Sequence, residues 1–288
     1  MSVSNANSSE LPRIAVVIPA AGASSRYLEA GALRHKLDED LGGKPVLQRT
    51  IEVFTKFDSD QVTIAAIIVA GPHDDQAFAE FKDRYADRLT LLGARIIKGG
   101  KSHRWETVAA ALAHVPDDCT YVAIHDAARP CVSFDILHHV FREAIAHEAA
   151  IPGIPLADTL KLTRIDENLA STTDTDRAAS ILGMEPKPKP ARVVESTVSR
   201  QSLYAAQTPQ VFEKQLLKRA YAQLATMSEA DRGAITDDAS LVERLGITVV
   251  VVDGDSRNIK LTHPADIDIA RAIMGLRATE GRATHKKF

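Results

Sequence analysis

Cysteine is nearly absent: the 288-residue chain holds two, Cys119 and Cys131. Two are too few for a disulfide framework and their spacing fits no metal site, so both are expected to be small buried hydrophobes in a reducing compartment. Long apolar runs are missing too. No stretch approaches the roughly 18 to 20 residues that a membrane span needs. The opening MSVSNANSSE has neither a basic start nor an apolar core and reads as a disordered tail. Nor is there an excess of one charge: 35 Lys and Arg stand against 38 Asp and Glu, for a formal net charge of -3. Such a chain has no global attraction to nucleic acid or a membrane surface, and any role for its basic residues must be local.

Several catalytic signatures are also lacking. H-E-x-x-H, G-x-S-x-G and clustered Cys and His do not occur, so zinc or serine hydrolysis finds no support. GGKS at 99–102 lacks the glycine that a Walker A loop carries five positions before Gly100, because Arg95 stands there. No G-x-G-x-x-G follows the first strand either, since Gly22 lies among Ala20, Ala21, Ala23 and Ser24. This argues against a dinucleotide dehydrogenase.

What is present is ample apolar content, 45%, and a regular alternation of strand and helix patterns. Ile14 to Ile18 is short, β-branched and uncharged, as in a buried parallel strand. Leu47, Ile51 and Phe54 recur at helical spacing, VTIAAIIVAG reads as a strand, and Phe78, Phe81 and Tyr85 mark another helix. ARIIKGG, the Val108 to Val115 helix, YVAIHDAARP and the Leu137 to Ile145 helix continue the series. The alternation predicts an α/β fold with a doubly wound, mostly parallel sheet. Between residues 163 and 196 it fails: the segment is polar, threonine-rich and then studded with prolines, either a linker or an arm reaching a partner subunit.

Ligands of such sheets bind at the carboxyl ends of the strands. The loop in IPAAGASSR (18–26) is small enough for backbone N–H groups to approach a phosphate, although a tight turn would look the same. HDAARP (125–130) puts three polar groups on one sheet edge, where Asp126 and Arg129 could equally form a structural ion pair. Lys36, Arg104, Arg200 and Lys260 also fall beside strand ends or turns, which makes convergence on an anionic substrate plausible.

In order, PAAGASSR, HK (35–36), GGKSHRWETV, HDAARP, ADTLK, TVSRQSLYAAQTPQVF, ITDDASLVE and NIKLTHPAD resemble the 2-C-methyl-D-erythritol 4-phosphate cytidylyltransferases of the non-mevalonate isoprenoid pathway. The likeness runs from Arg13 to about Met274. It implies a Rossmann-like sheet of the nucleotide-diphospho-sugar transferase type with a projecting β-arm. On that reading residues 1–12 and 277–288 are tails, and 13–276 form one cytidylyltransferase domain with 163–196 as a dimerisation arm. It further implies a cytoplasmic homodimer, with no nucleic-acid or membrane partner, that moves CMP from CTP to a small polyol phosphate. Mg²⁺ is expected as cofactor, held mainly by the CTP phosphates and not by protein ligands. By the same resemblance Arg26, Lys36, Arg200 and Lys260 are catalytic. Ala20, Ala21, Gly22, Arg26, Lys36, Gly100, Arg104 and Thr107 contact the nucleotide, and Asp126, Arg129, Thr159, Arg200, Thr208 and Lys260 hold the polyol phosphate, Arg200 from the neighbouring subunit.

The sequence departs from the family pattern in three places. Ser24 replaces the second glycine of G-x-G-x-R, His35 replaces the proline before the lysine, and the arm is longer and richer in proline. Ser24 is expected to fit with its backbone φ below zero, since only glycine adopts positive φ freely. Ribitol 5-phosphate cytidylyltransferases share the motifs more loosely but carry GG after the first strand and HDAVRP, where this chain has PAAG and HDAARP. A catalytically silent nucleotide-binding protein is the remaining alternative.

Overall fold

The computed structural model describes residues 10–171 and 189–276. The expected tail 277–288, residues 1–9 of the expected tail 1–12, and the middle of the expected arm lie outside them.

β1 (Arg13–Pro19) occupies the middle of the main sheet because every residue from Ile14 to Ile18 can be buried. Its alternate side chains feed two separate cores, one holding Ile14, Val16 and Ile18, the other Ala15 and Val17. β2 (Thr63–Gly71) and β4 (Tyr121–Ile124) flank it in parallel, and β3 (Ala94–Lys98) extends the sheet beyond β2. On the other side β9 (Gln210–Glu213) lies between β4 and β5 (Ala149–Pro155), with β10 (Val250–Asp253) parallel to β5 at the end, giving the order β10-β5-β9-β4-β1-β2-β3. β9 runs antiparallel to both neighbours, the one reversal in this order.

Helices cover both faces. α2 (Val46–Lys56), α3 (Asp75–Leu91), α5 (Phe134–His147) and α9 (Asp266–Ile273) supply Leu47, Ile51, Phe54, Tyr85, Leu137, Phe141 and Ile267 to the first core. α4 (Arg104–Leu112), α6 (Lys214–Ala222) and α8 (Ala239–Glu243) supply Val108, Leu217 and Leu241 to the second. Full burial of each such side chain is worth about 1.5–3 kcal/mol, which sets the sheet rigidly enough to position its loops. Among the described residues the short helices α1 (Ser25–Glu29) and α7 (Glu229–Gly233) complete the α-helices. Cys119 is buried as expected, whereas Cys131 is only partly so.

Residues Pro155–Ala205 form a separate compact unit, wider at both ends than the expected 163–196. Within it β6 (Leu160–Ser171) and β7 (Lys189–Val198) pair antiparallel, Leu160 opposite Val198 and Thr163 opposite Val194. Pro190 enters β7, as an edge strand of a two-stranded ribbon permits. Leu162, Ile165 and Val194 are about half exposed. Between β7 and β9 lies the short β8 (Tyr204–Ala206).

Candidate active site

The carboxyl ends of β1, β3 and β4, with the segment after β10, enclose a cavity of about 220 Å³. Its wall carries four cationic side chains, Lys36, Lys101, Arg104 and Lys260, against one carboxylate, Asp126. In a chain of net charge -3 this is a local concentration of positive charge, and a concave site of that sign selects anions.

Each wall is fixed by its own backbone. The Ala20 N–H donates to the Ala70 carbonyl at 2.8 Å, so the loop after β1 leaves the sheet in contact with β2. Gly22 lies on the cavity, and a Cβ there would meet no protein atom within 4 Å, so packing within the chain does not demand the glycine. Gly100 differs. A Cβ there would stand 2.1 Å from Glu106 Cβ, and its N–H donates to Thr107 Oγ1 at 3.1 Å. Loop 99–103 therefore packs directly on the first turn of α4, where Glu106 Oε2 accepts from the Ser102 and His103 N–H groups at 2.6 and 3.1 Å.

Asp126 follows β4, and cations surround it: Lys260 Nζ at 3.0 Å, Arg129 Nε at 3.1 Å and Arg104 Nε at 3.8 Å. Burial alone would raise its pKa, but Lys260, Arg104 and Arg129 outweigh burial and hold the carboxyl well below the usual range. Lys36 moves the other way for its type. Burial chiefly, and the neighbouring charges of Lys260 and Arg26, lower its pKa, with Asp126 opposing them. Arg104 Nη1 lies 2.7 Å from Asp238 Oδ2, a carboxylate 1% exposed whose other oxygen accepts from Tyr221 Oη at 2.5 Å. Despite burial, Asp238 and Asp126 hold Arg104 more firmly charged than a free guanidinium. Lys260 is brought in by the backbone, as the Leu261 N–H donates to the Ala128 carbonyl at 2.9 Å.

Of the expected residues, Ala20, Ala21, Gly22, Lys36, Gly100, Arg104, Thr107, Asp126 and Lys260 meet on this one cavity. Arg129 and Thr208 do not line it. Arg129 is nearly buried and spends its guanidinium on Asp126 and, through Nη1, on the Asn258 carbonyl at 2.7 Å. Thr208 Oγ1 accepts from the Asp126 N–H at 3.1 Å. Both therefore stand behind Asp126 and hold it. Arg26 is exposed on α1 and is absent from the wall, although its charge reaches Lys36. Thr159 and Arg200 belong to the 155–205 unit, where both are exposed.

One expectation is overturned: Ser24 sits at φ 58, ψ 28, in the left-handed region. Its carbonyl nonetheless starts α1, accepting from the Tyr27 and Leu28 N–H groups at 2.9 and 3.0 Å. Lys101, Ser102 and His103 line the cavity without being among the expected contacts, although all lie within GGKSHRWETV. Asp238, within ITDDASLVE, pairs with Arg104 behind the cavity wall, a place that the motif does not assign to it. Its signal is a carboxylate inside a helix-start pattern that nonetheless makes no side-chain cap.

Among the described residues no group of three or more His, Cys, Asp and Glu side chains is placed to hold a metal ion, and Asp126 is already engaged by Lys260 and Arg129. The side chains present do not form an all-protein Mg²⁺ cage.

A mostly parallel α/β sheet with a cationic pocket at its carboxyl edge, entered by a small-residue loop, places the protein among the nucleotidyltransferases of Rossmann-like architecture. The model of the family described as 2-C-methyl-D-erythritol 4-phosphate cytidylyltransferase (IspD) matches residues 14–188 and 186–276, and the chain belongs to that family. A relative of that name from Solibacter usitatus is 34% identical over 277 residues, covering 94% of this chain and 99% of its own. Another, from Caldanaerobacter subterraneus subsp. tengcongensis, is 32% identical, covering 91% and 98%. The crystal structure of 2-C-methyl-D-erythritol 4-phosphate cytidylyltransferase from Thermus thermophilus superposes with a TM-score of 0.61 at 27% identity, covering 92% of this chain and 100% of that one.

Proposed function

We propose that the protein transfers CMP from CTP to 2-C-methyl-D-erythritol 4-phosphate, releasing pyrophosphate and 4-diphosphocytidyl-2-C-methyl-D-erythritol for isoprenoid precursor synthesis. The observation that carries the reading is the single cavity, four cations to one carboxylate, in a member of this family. The acceptor is a phosphate monoester with a second pKa near 6, so around neutral pH it is already largely a dianion and needs no general base. One of its oxygens attacks the α-phosphorus of CTP. The bond from that phosphorus to the bridging oxygen breaks, and pyrophosphate leaves with the electron pair.

The obstacle is bringing a dianion against a triphosphate. Two unit charges 4 Å apart interact by roughly 4 kcal/mol at an effective dielectric of 20, so several fixed cations offset the repulsion. Lys36 and Arg26 take the triphosphate and the charge that develops on the leaving group. Ala20, Ala21 and Gly22 offer backbone, and Gly100, Arg104 and Thr107 complete the nucleotide wall. Lys260 and Asp126 face the polyol phosphate, braced by Arg129 and Thr208. Mg²⁺, when bound, would be held by the nucleotide's phosphate oxygens and by waters, the ligands it prefers, and would add positive charge at the phosphates. Thr159 is a further contact to the polyol phosphate, Arg200 acts from the 155–205 unit of a second subunit in a cytoplasmic homodimer, and the half-exposed Leu162, Ile165 and Val194 are apolar surface suited to such pairing.

The test is pyrophosphate release from CTP with Mg²⁺ and each candidate polyol phosphate. Lys36→Ala or Arg26→Ala should remove about 2.7–4 kcal/mol of transition-state stabilisation, on the order of 10² to 10³ in kcat. Near-full turnover in both variants would refute these roles. Turnover with ribitol 5-phosphate alone, or with no acceptor, would refute the substrate.

A further inference from the structure

The two point departures from the family pattern, Ser24 and His35, touch each other. Ser24 Oγ lies 2.8 Å from His35 Nε2, and the same nitrogen lies 2.8 Å from the carbonyl oxygen of Gly22. A carbonyl only accepts, so Nε2 must carry the proton. Nδ1 is then the acceptor in the neutral ring, and the Leu37 N–H donates to it at 3.3 Å. One tautomer thus satisfies both ring nitrogens.

These contacts join segments that the chain separates. Between Ser24 and His35 run α1, anchored in the first core by the buried Tyr27, and a turn in which Leu33 is 87% exposed, so the excursion is packed at its helix and open to solvent at its turn. Ser24 supplies the first carbonyl of α1, which carries Arg26. His35 precedes a 3-10 turn, Lys36–Asp38, whose far end is fastened to α3 by hydrogen bonds from Arg84 and Tyr85 to Asp38. Gly22 and Lys36 are both on the cavity wall.

We propose that His35 is a positioning residue for nucleotide binding. Its ring clasps the small-residue loop to the lysine turn, so that the Gly22 backbone, the start of α1 and Lys36 keep one fixed separation for a nucleoside triphosphate. Ser24, in the left-handed region, is the loop's half of the clasp, with its hydroxyl 2.8 Å from the ring nitrogen. The proposal rests on the nucleotidyltransferase reading for the identity of the ligand.

Three variants of the full chain divide the contacts. His35→Asn keeps an acceptor near the place of Nδ1 for Leu37 but is too short to reach Gly22. His35→Gln keeps a donor at the reach of Nε2. Ser24→Ala removes the hydroxyl alone. Hydrogen exchange without any ligand should be faster across residues 20–26 in His35→Asn and Ser24→Ala than in the parent, and near parental in His35→Gln. In steady-state assays the KM for CTP should rise about two- to ten-fold in His35→Asn, with the KM for the polyol phosphate unmoved and the rescue by Gln repeated. The Ser24→Ala/His35→Asn double variant should be no worse than His35→Asn alone. Equal exchange in all the proteins would overturn the clasp whatever the chain does with CTP. Altered exchange with an unchanged CTP KM, or a defect in His35→Gln as large as in His35→Asn, would overturn its role in positioning. A parent protein that fails to release pyrophosphate would sink the function and the ligand, and the exchange pattern would still judge the clasp.

Discussion

Mild acid should destabilise this protein through one histidine. His125 is fully buried after β4, with its ring edge-on to Phe54 at 5.1 Å. Its Nε2–H donates to the Arg129 carbonyl at 3.0 Å, and its Nδ1 accepts from Thr208 Oγ1 at 3.0 Å. Both partners suit the neutral ring, and a second ring proton would point at a hydroxyl already used as donor. Burial pushes the pKa from 6.5 down to about 4. The folded state therefore resists a proton that the unfolded chain accepts. Stability is fully present above about pH 6.5 and is lost as pH falls toward about 4. Moving from about pH 7.5 to about pH 5 should cost roughly 2 kcal/mol. Asp126 adds nothing in that window: its lowered pKa gives stability that is present above the ordinary carboxylate value and lost only as pH falls below it. The assay is urea unfolding at the two pH values in the parent and in His125→Asn, which keeps an acceptor for Thr208. The parent should lose about 2 kcal/mol more than the variant, and the His125 ring signal in NMR should not titrate above about pH 5. Equal pH dependence in the two proteins, or a His125 signal that titrates near 6.5, would refute the reasoning.

Gly100→Ala should lower kcat/KM by about 10² while leaving the sheet folded, because its Cβ must displace the first turn of α4, and displacements of about 1 Å carry such costs; steady-state kinetics with circular dichroism checks this. Asp238→Asn should destabilise by about 2 kcal/mol, since it leaves the Arg104 guanidinium without its buried partner at 2.7 Å, the effect being moderated by an Arg104 side chain 30% exposed; thermal unfolding reads it. Mixing inactive Arg200→Ala with inactive Lys36→Ala should restore part of the activity through hybrid dimers, and no recovery despite demonstrated subunit exchange would refute action of Arg200 across subunits.

The repeated strand-and-helix order was legible because buried parallel strands are short, uncharged and β-branched, as Ile14 to Ile18 is, and the helices between them keep a 3.6-residue period. β9 was not legible as an antiparallel insertion. Gln210-Val211-Phe212-Glu213 is too short to carry a direction, and its place between β4 and β5 is decided by pairing partners far away in the chain. The cluster at the strand ends could be read because topology alone collects those loops. Which side chain faces the cavity could not, since Asp126 and Arg129 sit three residues apart in one motif yet one is on the wall and the other behind it. Ser24 misled for a related reason: residue type gives the usual cost of positive φ, whereas the contacts around the residue, here with a histidine eleven residues on, are not written in it.

That division between wall and brace bears on how the site could exchange partners during the proposed reaction. Lys260, with a side chain 39% exposed, is held by Asp126, whereas Arg129, 11% exposed, is tied to Asp126 and to the Asn258 carbonyl together. An arriving phosphate can draw Lys260 away without leaving Asp126 as an uncompensated buried charge, because Arg129 and the Thr208 hydroxyl that fixes its N–H stay in place. Asp238 plays the same part for Arg104, with Tyr221 and the Gln210 side chain, which accepts from the Asp238 and Ala239 N–H groups, keeping it fixed. Among the described residues Lys36 makes no salt bridge, and burial with the like charges of Lys260 and Arg26 lowers its pKa against the opposing charge of Asp126. A triphosphate would relieve that repulsion, which makes Lys36 the cation with most to gain from the ligand and the one whose loss should cost turnover more than stability.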